Sequence, residues 1–259
     1  MKEIQIDPFP NLKITENAYK RDVVGNVGNK KQRNIGGKSM VSINVFNNGE
    51  KRVNAMIPET INGNTFMSVF PNPIQLYFSF SLKAFNQSEE LRNKEFIKKS
   101  KKVNGEKKYF LNVDADKTHP LYNSYLQLKI GSIIMLACSI EAFVNSIITE
   151  SITYKDKKGE ELNQEQIQRW VSLADKIQFV IPEIYDVDFK KTYKKEYDQI
   201  MSLIRIRNEF VHLKNYNKSP FSEEYQKLFI SLKKFKMKQC LKAAKKYMCE
   251  YKEDFIKEI

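Results

Sequence analysis

From Ser39 to Val113 the apolar residues tend to alternate with polar ones, as in SMVSINVF, TFMSVF, QLYFSFSL and KKYFLNV, with Asn, Gly and Pro clusters between the runs. A period of two predicts an antiparallel sheet. Past His119 and Pro120 the period becomes helical, and four helices can be drawn: Leu121 to Ile152, Asn163 to Val180, Lys190 to Leu213, and Ser222 to about Ile256. YKDKKGEE, residues 154–161, reads as a polar turn between the first two, and Pro220 precedes the last helix, where its fixed φ is tolerated. The pattern predicts an α+β chain. An antiparallel β-rich domain would span residues 1–118, and an antiparallel bundle of about four helices would span 119–259.

Two of these helices carry polar residues where the pattern calls for apolar ones. Projected at 100° per residue, Ile200, Leu203, Ile204, Phe210 and Val211 fall within about 60° of Arg207. Arg207 is thus centred on the apolar stripe, with Asn208 and His212 one turn apart on its shoulder and Ser202, Arg205 and Glu209 opposite. A guanidinium directed into a core is costly unless it is paired. The first helix holds the matching anomaly. IGSIIMLACSIEAFVNSII is apolar on nearly every side, yet Glu141 and Asn145 stand four residues apart on one face, with Gln127 and Thr149 near the same line. This polar seam predicts that Glu141 pairs with Arg207, either as a register-fixing ion pair or as part of a working site. Of the two histidines, His119 precedes a proline at the expected domain boundary, whereas His212 shares a turn with Asn208. His212 is therefore the candidate for proton transfer near neutral pH.

Composition sharpens the choice of partner. A net charge of +13 and a pI near 9.4 point to a polyanion, nucleic acid first, because cations along a phosphate backbone release condensed counterions. The alternative is a set of solvated lysine faces. RNKEFIKKSKKVNGEKK, residues 92–108, is open to the same two readings. The three cysteines have no CxxC spacing, so neither disulfide nor zinc is expected. GGKS at 36–39 lacks both the upstream glycine and the following helix that a phosphate-binding loop requires. The run from Ile133 to Val144 is interrupted by Ser139 and Glu141, and MKEIQIDPFPNLK has no secretory pattern, so no membrane partner and a cytoplasmic location are expected.

Arg207-Asn208-Glu209-Phe210-Val211-His212 matches RNxxxH on a late helix, and SIEAFVNSI places an acidic residue shortly before an Asn in an early apolar helix. Together these resemble the HEPN superfamily over residues from about 120 to 259. The resemblance implies a HEPN-like bundle and metal-independent RNA cleavage without a cofactor, in a cleft formed by a homodimer. Arg207 and His212 would be catalytic, with Asn208 orienting the histidine or the phosphate and Glu141 and Asn145 in support. It also implies a toxin or antiphage effector, with the first half left to recognise substrate, sense a trigger or bind an inhibitor or regulatory partner. The alternative is a non-catalytic RNA-binding or scaffold module.

Overall fold

The computed structural model describes residues 4–6, 40–45, 51–69, 72–97, 100–103, 106–111, 115–212, 223–253 and 255–258; the GGKS stretch and Pro220 lie outside them. The chain divides into two compact units, residues 6–72 and residues 73–259 together with the first five. Strand β1 (Ile4–Ile6) pairs with β9 (Ile256–Glu258). In the smaller unit, β2 (Met40–Val45), β3 (Lys51–Ile61) and β4 (Asn64–Val69) form an antiparallel meander. Its last turn is Asn62–Gly63, with φ of 51° and 78°, the left-handed pair that a two-residue hairpin needs.

From Pro73 onward the described residues are mostly helical, with two short antiparallel hairpins and the β9 strand. The helices are α1 (Pro73–Leu91, continued by a π-helical turn Arg92–Ile97), α2 (Ala115–Ile147), α3 (Gln164–Trp170), α4 (173–185), α5 (Phe189–Thr192), α6 (Lys194–Val211), α7 (Glu223–Lys234) and α8 (Met237–Tyr251). Two hairpins interrupt them, β5 (Ser100–Val103) with β6 (Glu106–Leu111), and β7 (Tyr154–Lys155) with β8 (Glu161–Leu162).

The expected α+β class with a β-rich N-terminal domain is therefore overturned: the protein is mostly helical, with eight helices among the described residues. The decisive segment is QLYFSFSL, which belongs to α1. Its buried residues are Ile74, Phe78, Ser81, Leu82, Ala84 and Ser88, a helical stripe, whereas Leu76 and Phe80, which completed the apparent alternation, are about half exposed. Serines in the buried stripe disguised the period. Ser88 Oγ bonds back to the Phe85 carbonyl, and Ser81 is satisfied by the facing helix: Ser81 Oγ donates to the Ser132 carbonyl at 2.7 Å and Ser132 Oγ returns a bond to the Ser81 carbonyl at 2.9 Å. Ser139 Oγ donates to the Ile74 carbonyl at 2.9 Å, so α1 and α2 run antiparallel in close contact.

The expected helix count is also corrected, because three helices drawn as continuous are broken. Asn163 caps α3 in a reciprocal box with Gln166, Val171 turns extended, and Ser172 caps α4 through the Asp175 amide. Tyr193 separates α5 from α6, and Lys236, at φ −88° and ψ 63°, separates α7 from α8. The core lies between α1, α2, α6 and α8, where Phe78, Ile133, Leu136, Ile140, Phe143, Leu203, Leu241 and Tyr247 are essentially inaccessible. Within α2, His119–Ile147 is long and apolar enough to cross a membrane, with mean hydropathy 1.8, although interior Ser and Glu suggested otherwise; half of that window is buried inside the fold. A helix apolar nearly all round suits a central core position equally well.

Candidate functional site

Helix α6 begins after Tyr193, gains an i,i+4 ion pair from Lys194 to Asp198 at 2.7 Å, and ends where His212 leaves helical geometry at φ −110° and ψ 52°. It packs on α2 and α8 and buries Tyr197, Ile200, Leu203, Ile204 and Ile206. Arg207 lies on the α2 side but is not deeply buried, with its side chain 26% exposed. Val211, expected in the apolar stripe, is 45% exposed, because the helix end runs past the core.

Arg207 Nη2 lies 3.9 Å from Glu141 Oε2, a contact too long for a hydrogen bond, and its Nη1 donates to Asn208 Oδ1 at 2.9 Å. Its Nε is buried and makes no hydrogen bond among the described residues. Cys138, three residues before Glu141, sits beside the same guanidinium; burial pushes its thiol up, and the positive charge of Arg207 opposes the shift. Donor capacity on Arg207 thus remains unused.

Asn145 takes a different partner. Its Oδ1 accepts from Lys176 Nζ at 2.9 Å, Lys176 also donates to the Gln168 carbonyl at 2.8 Å, and Gln168 Nε2 bonds the Asn145 carbonyl at 3.0 Å. Lys176 is fully buried at the start of the π-helical stretch of α4 (Lys176–Val180). Burial holds its ammonium below the usual lysine range, against the pull of the Glu141 carboxylate. Sequence reasoning missed this residue. The signal was there, since Lys176 stands among Leu173, Ile177, Val180 and Ile181, all buried. The two ends of the polar seam do not extend it: Gln127 is exposed, and Thr149 reaches Ser151 at 3.2 Å.

His212 is exposed and lines a groove of about 740 Å³ with Asn208, Met201, Ile204, Glu224 and Lys227, between α6 and α7. Arg207 is not part of that lining, as its approximate 140° separation from His212 along a helix requires. Asn208 joins the two, since it accepts from Arg207 and faces the His212 groove. His119 is exposed within α2 and does not join this site. Among the described residues there is no group of three or more His, Cys, Asp or Glu side chains able to hold a metal ion. No protein-family model, no curated protein and no solved structure matches the chain.

Proposed function

We propose that the protein is a metal-independent endoribonuclease of HEPN type, acting on RNA through Arg207 and His212 contributed by two copies of the chain. The observation that carries this reading is the state of Arg207: a half-buried, always-charged fork with an unpaired Nε, tied to Asn208 but only loosely approached by Glu141. Such a fork can take two phosphate oxygens and stabilise charge developing on them. His212 has the exposure and chemistry to take the proton from a ribose 2′-hydroxyl or to protonate the leaving 5′-oxygen, giving a 2′,3′-cyclic phosphate. Because Arg207 and His212 point to different sides of α6, one copy does not clamp a phosphate alone; a twofold homodimer joins the arginine of one copy to the histidine of the other. Glu141 faces Arg207 at 3.9 Å and keeps a negative charge beside it, and Lys176 with Asn145 braces the helix that carries Glu141.

The net charge of +13 suits the same substrate. A cytoplasmic role as a toxin or antiphage effector rests on the family resemblance alone. A second reading, a non-catalytic RNA-binding scaffold, is favoured by the Lys176–Asn145 contact, which uses half of the seam purely for packing. Incubating labelled RNA with the protein in EDTA separates the two. Cleavage to cyclic-phosphate ends, abolished by both Arg207→Ala and His212→Ala in folded dimers, is the expected outcome; undiminished cutting by either variant overturns it.

A further inference from the structure

A second groove, of about 980 Å³, runs between α6, α7 and α8. Its floor is fixed: Gln199 Nε2 donates to Gln239 Oε1 at 3.2 Å, and Cys240 Sγ donates to the Gln199 carbonyl at 3.6 Å. Its walls are basic, with Lys194, Lys195, Arg205, Lys234 and Lys236 against Asp198 and Glu209. Asp198 is already engaged by Lys194 at 2.7 Å. Lys195, Arg205, Lys234 and Lys236 have no ion-pair partner among the described residues, so four unpaired cations face Glu209 on one concave surface and leave an excess of three positive charges. Two of them stand where a cation is disfavoured. Lys195 lies in the first turn of α6 and Lys236 at the N-cap of α8, and neither helix has a side-chain cap. A positive charge at the positive end of a helix is relieved by a bound anion.

The groove is also continuous with the one that holds His212, because Arg205, Glu209 and Ser231 line both. The basic stretch therefore leads along α6 to the exposed histidine.

We propose that the α6–α7–α8 groove holds the phosphate backbone of single-stranded RNA and leads the strand to His212. The choice of RNA over other polyanions rests on the ribonuclease reading above. Concave, cation-lined surfaces concentrate polyanions, and a single strand, unlike a duplex, follows a groove between helices. Arg205, shared by both grooves, contacts the phosphate where they meet.

The test measures anisotropy of a labelled 2′-O-methyl oligouridylate, which lacks the hydroxyl that cleavage needs, against the full-length protein over a range of salt concentrations. One variant carries Lys195→Gln, Lys234→Gln and Lys236→Gln; a control carries Lys83→Gln, Lys155→Gln and Lys158→Gln, an equal charge loss at exposed sites outside the groove. Neutralising three phosphate contacts lowers the slope of log K against log salt by about two, and the groove variant shows this with a loss of at least about tenfold in affinity. The control shows less than half of either change. Equal effects of the two variants, or no binding by the unmodified protein, overturn the proposal. An oligoglutamate of equal charge that binds more tightly than the RNA, and loses that binding in the groove variant, assigns the groove to an acidic protein and overturns it too. The catalytic reading fails separately: cutting that survives His212→Ala while the slope falls as stated removes His212 from the chemistry and leaves the RNA groove.

Discussion

Two cations reach the polar seam of α2 one turn apart, and they are built differently. Lys176 at Asn145 is fully buried, and its ammonium is fixed by two neutral oxygens at 2.8 and 2.9 Å. Arg207 at Glu141 is a quarter exposed, its carboxylate partner is 3.9 Å away, and its Nε makes no bond among the described residues. A buried polar group kept for packing has its partners satisfied within the fold. One whose charged end stays a quarter exposed and only loosely paired can meet a ligand there. The seam therefore contains a structural half and a half with capacity left over, and each variant below tests whether that division holds.

The largest effect is expected at Lys176. Lys176→Ala leaves the part-buried Asn145 and Gln168 oxygens without this donor and opens a void at a fully buried position, costing about 3 kcal/mol in urea unfolding. Lys176→Met keeps the volume and removes the charge from the interior, so its cost is smaller, about 1 to 2 kcal/mol. The two proteins also differ with pH. In the folded state the Lys176 ammonium titrates below the ordinary lysine value near 10.4, so over that alkaline window the unfolded chain binds more protons than the folded one. Stability of the unmodified protein relative to Lys176→Met therefore rises as pH climbs from the depressed value toward the ordinary one. A flat difference would mean that Lys176 is not held in the interior as described.

Arg207→Ala comes next, at about 1 kcal/mol, because a partly exposed ion contact at 3.9 Å contributes little. Arg207→Lys restores the charge and the stability but not the planar fork, so RNA cleavage stays lost. If Arg207→Ala unfolds the protein as readily as Lys176→Ala does, both halves of the seam are structural and the scaffold reading gains.

How much of this was legible in the sequence differs between the two halves of the seam. Arg207, Glu141 and Asn145 stood out because each interrupts a long apolar pattern on an unbroken helix, where angular projection works. Lys176 was hidden by the break at Val171 and Ser172, which shifts the phase of α4 relative to α3. The same cause erased the breaks at Tyr193 and Lys236, where backbone geometry changes without Gly or Pro to mark it. The α1 error is of another kind. Ser81 and Ser88 read as polar, yet they are buried because a hydroxyl can bond a carbonyl within reach, Ser81 across the interface to Ser132 and Ser88 back to Phe85. Binary patterning has no symbol for a small polar residue that is satisfied inside a core.

The smallest effect on stability is expected at His212, and it is the most discriminating. The side chain is exposed beyond the last turn of α6, and the one bond described at this residue is made by its backbone, from the amide to the Asn208 carbonyl at 2.9 Å. Replacing the imidazole leaves that bond intact, so His212→Ala should unfold within about 0.5 kcal/mol of the parent. If His212 carries the proton, the same substitution lowers RNA cleavage by about 10²–10⁴-fold, a loss that no change in packing explains. Asn208 sharpens the result. Asn208→Ala frees Arg207 Nη1 and removes a wall of the His212 groove, so it should lower cleavage less than His212→Ala while costing as little stability. Cleavage unchanged in both variants would leave the exposed end of α6 with no part in the chemistry, and the unused donors of Arg207 would then belong to a ligand bound on the α2 side alone.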